Sequence, residues 1–466
     1  MKLSRDILRL AVPSILANIT VPLVGMVDIA VAGHLSGASS AALIGGISVG
    51  TMLFDLVYWN FGFLRAGTGG LAAQAYGRSN GVIDDALHSI LRRALRIALL
   101  SGLLLIALQW AVVWLAFLVV DCSPEVRALA TQYFHIRIWA APATLSLFAF
   151  KGWFIGLQDS LRPMLADLLV NGVNILLSIG LGFGIGPLPA LGFVGVAVGT
   201  VIAQLSGFVY CLIVSRRRFG FKACCTSHYK STTYENSPRR NHPGENAQVI
   251  HNEEITEHGV FSLNRDLFLR SVGMIAVYIG FTVISARYGD LMLAVSTILM
   301  KLLMIFSYFT DGFAYAGEAL TGRFIGEGSS EGVHATIRQT FAWSWGLAGL
   351  FMLLYGLGGV SLFHLMTGDS SVVDAGRQFL PWLLLMPPVG CAAFTWDGIY
   401  IGATASKDLR NSTLLCAVGF FAVWFAGVSF TRTPESAIHL LMAAYFVHLA
   451  IRTVYLTLRR HIVLEW

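Results

Sequence analysis

The sequence predicts an all-α polytopic membrane protein. Of its 466 residues, 56% are hydrophobic and only 12% are charged, and the mean hydropathy is +0.68. A soluble domain carries about 25% charged residues, so this composition excludes a soluble enzyme and a disordered chain. The apolar residues also form runs of the length that a helix needs to cross a bilayer, about 20 residues. Lys and Arg collect beside these runs on one side, as in membrane proteins of defined orientation.

Twelve apolar runs separated by polar breaks predict twelve transmembrane helices. The first six lie near residues 10–33, 42–66, 95–119, 132–157, 163–185 and 191–215. The other six lie near residues 266–287, 291–320, 339–365, 378–403, 411–430 and 437–457. Because the two sets of six flank one long polar segment, we expect an N-lobe at residues 1–215 and a C-lobe at residues 265–466. A solvated polar linker at residues 216–264 would join them.

The distribution of basic residues predicts that both termini and the linker are cytoplasmic. In that orientation most Lys and Arg lie in or beside inner segments, in agreement with the excess of positive charge in cytoplasmic loops. Three basic residues are placed within spans, namely Arg65, Lys151 and Lys301. Five are placed outside, namely Arg127, Arg137, Arg287, Arg377 and Arg432.

The two halves look like copies of one another. Residues 151–156, at the end of the fourth span, match residues 397–402, at the end of the tenth, and residues 62–67 match residues 312–317. Since each half has six spans, both halves enter the membrane from the same side. The repeats are then related by a pseudo-two-fold axis along the membrane normal, an arrangement of transporters whose substrate site lies between the halves.

Charged residues inside the spans are the main functional candidates, because a charge in hydrocarbon costs at least about 2.5–3.5 kcal/mol and needs a partner, a water-filled cavity or a function. Asp28 lies near the outer end of span one, after Pro13 and Pro22, which allow the helix to bend. A carboxylate partly removed from water can take up and release protons near neutral pH. We therefore expect Asp28 to couple transport to an ion; the alternative is a hydrogen-bonded structural acid.

Span five supplies polar residues that could assist this acid. Asn171, Asn174 and Ser178 share one helix face at their spacing. They could hydrogen-bond to Asp28 across the half, or they could join neighbouring helices as polar contacts. The spacing does not choose between the two, and we include Asn174 and Ser178 in the predicted ion-coupling site.

Span eight contains a second group of candidates. Asp311 and Glu318 are seven residues apart and share a face, with Tyr308 and Tyr315 nearby. Two acids beside aromatic rings would suit an organic cation. Lys301, earlier on the same span, could instead neutralise one of the acids in a salt bridge.

Span ten carries Asp397 at the repeat position equivalent to Lys151, and Tyr400 lies one turn further on. The two opposite charges could form a structural pair, or each could face water in a cavity between the halves. We expect Asp397 and Tyr400 to contribute to substrate binding or to an alternative coupling site. Lys151 and Arg65 are interpreted as supporting charges.

The sequence contains no recognisable catalytic constellation, so we do not expect an enzyme. It lacks the phosphate-binding motif G-x-x-x-x-G-K-[ST] and any His or Cys cluster with metal-ligand spacing. We therefore expect no ATP-driven pump, no metal site and no cofactor. The net charge of +6 arises beside hydrophobic spans, which argues against nucleic-acid binding.

Four segments together resemble the multidrug and toxic compound extrusion (MATE) transporters, and within them the DinF-like branch. The segments are residues 27–35, 63–77, 311–319 and 396–403, and the resemblance extends over nearly the whole chain. It implies the V-shaped MATE fold, with twelve helices in two six-helix lobes. It also implies cation-coupled export of amphipathic, often cationic compounds.

The resemblance further implies roles for individual residues. Asp28 matches the acid of span one that is thought to bind the coupling proton in the DinF-like branch, and Asn174 matches the asparagine that accompanies it. Some members carry an aspartate where this chain has Ser178. The NorM-like branch places an acid of span seven in its sodium site, and residues 271–287 contain none. Proton coupling is therefore expected, with sodium binding by Glu318 or Asp397 as the alternative.

We thus expect a proton-coupled multidrug antiporter of the bacterial inner membrane that works by alternating access, as a monomer, on small amphipathic cations. A flippase for lipids or lipid-linked oligosaccharides is one alternative. The three basic residues placed in spans face five acids, a balance that favours cationic cargo over anionic lipid phosphates. A membrane scaffold or signalling protein without flux is the other alternative.

Overall fold

In a computed structural model, the protein is built from α-helices. The structure describes residues 2–35, 40–118, 120, 122–187, 189–221, 257–367 and 370–465. The helices before residue 222 are α1 (Lys2–His34), α2 (Ser40–Trp59), α3 (Gly62–Arg78), α4 (Asp85–Ala107), α5 (Gln109–Ala116), α6 (Pro124–Arg137), α7 (Ala141–Gly156), α8 (Leu161–Phe183) and α9 (Phe193–Phe219). Those after residue 256 are α10 (Glu257–Ala286), α11 (Asp290–Gly326), α12 (Ser330–Met366), α13 (Ser370–Arg377), α14 (Leu380–Gly402), α15 (Ser406–Gly427), α16 (Pro434–Leu458) and α17 (His461–Leu464).

These helices account for the predicted membrane spans. Within the described ranges, ten helical stretches are long and apolar enough to cross a bilayer, and two bent pairs bring the number to twelve. The bent pairs are α4 with α5, at 66°, and α13 with α14, at 59°. Two other spans are interrupted: α2 and α3 are separated at residues 60–61, and α6 and α7 are joined by a 3-10 turn at Ile138–Ala140.

The helices next to the predicted linker extend into it from both sides. α9 continues to Phe219, and α10 already begins at Glu257. The remainder of the predicted linker, residues 222–256, lies outside the described residues, so its solvated character stays a prediction.

Each lobe has its own apolar core. In the C-lobe one cluster joins helices α10 to α16, with Phe306, Phe379 and Phe420 fully buried inside it. In the N-lobe, Trp153 is fully buried in a cluster with α4 and α9, and its indole Nε1 donates a hydrogen bond to the Leu87 carbonyl at 2.9 Å. Van der Waals contact among such large side chains holds each six-span half together, because helices in a bilayer associate through close packing.

The lobes meet along a seam on the side of the membrane where span one begins, here called the terminal side. At the seam α3 and α1 pack against α11. Gly77 lies so close to the Arg323 carbonyl, and Gly326 so close to the Gln74 carbonyl, that a Cβ atom would overlap either oxygen. In each half the glycine follows the contacted carbonyl by three residues, Gln74 before Gly77 and Arg323 before Gly326. This pairing is one residue out of the register in which residues 62–67 match residues 312–317. The contacts are therefore reciprocal.

Hydrogen bonds across the seam repeat this symmetry. Gln74 Nε2 donates to the Gly402 carbonyl and to Thr404 Oγ1, both at 3.1 Å, and Arg323 Nη1 donates to Gln158 Oε1 at 3.1 Å. Gln158 and Thr404 are the turn residues that follow the fourth span of each half, and both adopt positive φ, 60° and 55°. The pseudo-two-fold relation expected from the repeats is therefore present in the seam itself.

Beyond the middle of the spans the lobes separate. Asn18 of α1 donates a hydrogen bond to the Tyr308 carbonyl of α11 at 3.1 Å, and the Trp59 ring packs on Tyr278, with centroids 5.2 Å apart. Further from the terminal side, residues on the same helices are exposed, namely Met26, Met52, Asp55, Leu56, Lys301 and Ile305. The two lobes thus form a V, and its cleft opens away from the terminal side.

Candidate functional site between the lobes

Asp28 is a buried acid in the wall of the N-lobe. It lies on α1, which packs along α8, and only 6% of its surface is exposed. Ser178 of α8 donates its hydroxyl hydrogen to Asp28 Oδ1 at 2.9 Å, and Ser178 is itself fully buried. The structure thus brings together two of the three residues predicted for ion coupling.

Asn174, the third of them, bonds elsewhere. Its Nδ2 donates to Thr200 Oγ1 of α9 at 2.8 Å, and its buried Oδ1 has no hydrogen-bond partner in the described part of the chain. One turn earlier, Asn171 Nδ2 donates to Thr20 Oγ1 at 2.6 Å. The polar face of α8 therefore exists, but each of its three residues has a different partner, and only Ser178 reaches the acid.

Arg137 lies beside this acid, although the sequence analysis placed it outside the membrane. It is the last residue of α6, inside the fourth span. Its Nη1 donates to Tyr133 Oη at 2.9 Å, and its guanidinium lies 4.6 Å from the ring centroid of Phe54 and 5.0 Å from that of Tyr133. It also interacts electrostatically with Asp28. The predicted outside position is wrong, because aromatic faces and a hydroxyl group hold this charge within the span.

Arg65 and Glu318 join the two lobes by an ion pair. Arg65 Nη1 donates to Glu318 Oε2 at 3.0 Å, and the guanidinium lies 4.4 Å from the Tyr315 ring centroid. Glu318 is fully buried, and its other oxygen, Oε1, has no hydrogen-bond partner among the described residues. Gly69 leaves room for this oxygen, since a Cβ at that position would overlap it. Arg65 therefore compensates an acid that was predicted to bind substrate.

Asp397 lies between two arginines of its own lobe. Arg270 Nη2 donates to Asp397 Oδ2 at 2.7 Å, Arg452 Nε donates to Oδ1 at 3.0 Å, and Arg452 Nη2 also contacts Oδ2. Arg452 is only 2% exposed. Both carboxylate oxygens are thus engaged by guanidinium groups, which the sequence analysis had not placed inside spans.

Lys151 does not pair with Asp397, its equivalent in the repeat. Lys151 Nζ forms an ion pair with Asp167 of α8, inside the N-lobe. The equivalent acid in the C-lobe is instead compensated from α10 and α16. The predicted alternative of a direct pair is therefore wrong, because each charge has a partner within its own lobe.

Lys301 and Tyr400 also differ from their expected roles. Lys301 is exposed on α11 and interacts electrostatically with Asp55 on the opposite lobe, and it forms no ion pair with the acids of its own helix among the described residues. Tyr400 is fully buried, and its hydroxyl donates to the Leu456 carbonyl at 2.6 Å. Its position is that of a core residue, so its hydroxyl is not directed into the cleft.

Positive charges offset the acids where the lobes meet. Asp311 interacts electrostatically with Arg65, Arg270 and Arg452, all of them in spans. Arg137 adds a fourth arginine in the N-lobe. The predicted excess of acids in the spans is therefore wrong, and it no longer argues for cationic cargo. The sequence already indicated these charges, because Arg137, Arg270 and Arg452 each fall inside an apolar run that was predicted to span the membrane.

The fold and these contacts define a class: a multi-pass membrane protein of two repeated lobes, with ionisable groups at the lobe junction and a cleft open to one side. Comparison with known proteins identifies the family. The MatE family model matches residues 13–179 and 267–424. DNA damage-inducible protein F of Escherichia coli (strain K12) is 32% identical over 454 residues, which cover 97% of this chain and 91% of that protein. The chain belongs to the MatE family of membrane transporters.

Other relatives and solved structures agree with this assignment. A probable multidrug resistance protein NorM of Thermotoga maritima is 22% identical and covers 91% of this chain and 84% of its own length. The outward-facing structure of a multidrug resistance MATE family transporter has a TM-score of 0.80 at 16% identity, covering 99% of this chain and 96% of that one. The crystal structure of MATE in the bent conformation has a TM-score of 0.79 at 16% identity, covering 100% of this chain and 97% of that one. The predicted family, the DinF resemblance and the two-lobe helical fold are confirmed.

Proposed function

We propose that the protein is a proton-coupled antiporter that exports small amphipathic organic compounds, with Asp28 as the proton-binding group. The relatives described as multidrug resistance proteins support the class of cargo. The excess of Lys and Arg on one side supports an orientation with both termini in the cytoplasm of a bacterium. The cleft would then open to the outside, and the protein would act as a monomer in the inner membrane, without a cofactor.

The observation that carries the proposal is the incomplete compensation of Asp28. The residue is buried, and within the part of the chain that the structure describes it accepts one side-chain hydrogen bond, from Ser178. It forms no ion pair within the described ranges, whereas Glu318 and Asp397 each have an arginine partner. Asp311 also forms no ion pair there, but three arginines interact with it electrostatically, against Arg137 alone for Asp28. A buried carboxylate without a cation has to be neutralised by a proton or by a bound cation before the lobe can close around it. Asp28 is therefore free to exchange a proton for a bound cation.

The same comparison speaks against sodium coupling in the C-lobe. Sodium, like other hard cations, is bound by oxygen atoms that are free to coordinate it. Asp397 has a guanidinium group on each oxygen, and one oxygen of Glu318 is bound by Arg65. At Asp397 sodium would have to displace an arginine, and at Glu318 it would have to bind through Oε1 alone, beside the guanidinium that holds the other oxygen.

Exchange at Asp28 couples proton entry to cargo export. A proton that arrives through the open cleft neutralises the carboxylate and releases a cargo molecule held there. The lobes then close toward the outside and open toward the cytoplasm with the proton bound. The proton is released there, and the ionised carboxylate binds a new cargo molecule. Thermodynamic reciprocity requires that cargo binding weaken proton binding by the same factor.

A lipid flippase is a second candidate, and a specific observation favours it. Arg65, Arg270 and Lys301 lie at the lobe junction or on the cleft wall, and Arg270 was not placed in a span by the sequence analysis. Such groups would suit the phosphate of a lipid headgroup.

Reconstituted vesicles test the proposal directly. Export of a fluorescent lipophilic cation is measured under a proton gradient and, separately, under a sodium gradient, for wild type and Asp28→Asn. Asp374→Asn is the matched control, because Asp374 is an exposed acid paired with Arg377 on α13. We expect proton-driven export in wild type and in the control, and its loss in Asp28→Asn. Export driven by sodium and insensitive to Asp28→Asn would refute the proposal, and scrambling of a labelled phospholipid without cation export would favour the flippase.

A further inference from the structure

Arg137 is held in a way that keeps it apart from the acid beside it. Its hydrogen bond to Tyr133 Oη and its contacts with the rings of Tyr133 and Phe54 fix the guanidinium against α2 and its own helix turn. Tyr133 is fully buried, so its hydroxyl has a defined position. The residue also lies directly before the 3-10 turn at Ile138–Ala140, a break of the kind that often marks a hinge.

The guanidinium has acids near it but no acid bound to it. Arg137 interacts electrostatically with Asp28 and Tyr58, and Asp55 of α2 interacts with it in turn. Yet it forms no ion pair with any carboxylate of the residues that the structure describes. Two unpaired opposite charges in one lobe, close enough to interact, would normally associate, because an ion pair gains strength in a low dielectric. The contacts with Tyr133 and Phe54 oppose that association.

We propose that Tyr133 is a positioning residue that holds Arg137 away from Asp28, so that the acid depends on a proton or a cationic cargo for its neutralisation. This inference rests on the proposed function. If Arg137 reached Asp28, the N-lobe would carry an internal counter-ion. The lobe could then close with neither proton nor cargo, and the two fluxes would no longer be coupled. Arg137 also sets specificity, since the cargo cation has to bind Asp28 next to a fixed positive charge.

The groups that face Asp28 define what else can contribute to its titration. From α8 come Ser178 and, further along, Asn174, which do not titrate. From α6 comes Arg137, which interacts in turn with Tyr133 of its own helix and with Asp55 and Tyr58 of α2. On the opposite lobe Lys301 interacts with Asp55. Among these, Arg137 is the cation that interacts with Asp28 itself.

The test is a binding titration over a range of pH with the purified full-length protein and a fluorescent lipophilic cation. In wild type, binding should strengthen as pH rises through the midpoint at which Asp28 loses its proton. Tyr133→Phe keeps both rings but removes the hydroxyl that accepts the hydrogen bond from Arg137 Nη1, so the guanidinium can turn toward Asp28. We expect affinity at neutral pH to fall by about tenfold or more, the size of one close charge interaction. The midpoint should move to lower pH.

The double variant Tyr133→Phe with Arg137→Gln separates positioning from structural damage. Removal of the released cation should restore affinity to at least the wild-type value and return the midpoint upward. Tyr355→Phe is the matched control, because Tyr355 is a buried tyrosine of the C-lobe whose hydroxyl donates to the Leu302 carbonyl. We expect it to leave the pH midpoint unchanged.

Two results would overturn the inference. One is a Tyr133→Phe protein with wild-type affinity and midpoint. The other is a double variant that binds as weakly as Tyr133→Phe alone, which would mean that the hydroxyl acts through packing. Asp28→Asn in the same titration keeps the two proposals apart: if it retains the pH dependence of wild type, the proposed function itself fails, whatever the tyrosine variant does.

Discussion

A methyl group added at Gly322 should shift the balance between the two conformations of an alternating-access cycle. Gly322 lies inside α11 at the seam. A Cβ there would be 2.5 Å from the Cβ of Ala73 and 3.4 Å from the Gln74 backbone nitrogen, both on α3, and 3.1 Å from the Gly402 carbonyl oxygen of its own lobe. Non-bonded carbon atoms rest about 3.5–4.0 Å apart. The two helices therefore have to separate by about 1 Å in Gly322→Ala before the new contact becomes acceptable.

The cost of this contact falls on one conformation only. Overpacking of a well-packed contact costs about 1–3 kcal/mol, and it is paid only while the lobes are closed at the seam. Alanine also favours a helix over glycine by about 1 kcal/mol, but α11 is helical in both conformations, so this gain cancels. The population with a closed seam should fall relative to the other by about 5- to 150-fold.

Distance measurements between labels on the two cleft walls report this balance. Met52 and Ile305 are exposed on opposite lobes, and pulsed electron resonance between labels at these positions gives the distribution of cleft widths. We expect a wide cleft in wild type and a shift toward narrow distances in Gly322→Ala. Gly346→Ala is the control, because Gly346 lies within a helix of the same lobe and a Cβ there would meet nothing within 4 Å.

A compensating substitution makes the test specific. Ala73→Gly removes the atom nearest to the new methyl group. The approach to the Gly402 carbonyl oxygen, 3.1 Å, remains, but Gly402 belongs to the same lobe as Gly322, so the double variant should recover the wild-type distribution. An unchanged distribution in Gly322→Ala would refute the argument, as would an equal shift in Gly346→Ala.

Two further predictions concern the buried ion pairs. Arg65→Gln leaves the carboxylate of Glu318 buried without its cation. Removing one partner of a buried pair costs about 3–5 kcal/mol, so the thermal unfolding midpoint in detergent should fall by several degrees. Adding Glu318→Gln should recover most of the loss, and additive losses in the double variant would contradict this. Asp397→Asn leaves Arg270 and Arg452 without a compensating charge and should lower the unfolding midpoint similarly. Replacing potassium by sodium in the buffer should not raise the midpoint of wild type. A stabilisation by sodium that is lost in Asp397→Asn would show that sodium does bind there.

The fold was accessible from the sequence because a bilayer imposes strong constraints. Every backbone polar group in hydrocarbon has to be bonded within its own helix, so apolar runs of sufficient length are helices. The internal repeat then determines that the halves are arranged around an axis along the membrane normal. The structure reproduces both features, down to the equivalent turns at Gln158 and Thr404.

The partners of the charged residues were not accessible in the same way. The spacing on α8 predicted a polar face correctly, but which residue of that face meets Asp28 depends on how far α8 is rotated against α1, and packing sets that rotation. Arg137, Arg270 and Arg452 were assigned to the membrane surface because a count of basic residues per side treats each residue near a span end as a loop residue. Asp397, the partner of Arg270 and Arg452, lies in another helix far away along the chain, and Arg137 combines Tyr133 of its own helix with Phe54 of α2.

The reciprocity of the seam has a consequence for how the cleft can change. Gly77 meets Arg323 as Gly326 meets Gln74, so one surface is used twice about a single axis, as in the isologous interface of a symmetric dimer. A change of conformation that opens the terminal side has to break both copies of the contact, one on each side of the axis. The duplication that produced the lobes thus also doubled the contact that holds them together.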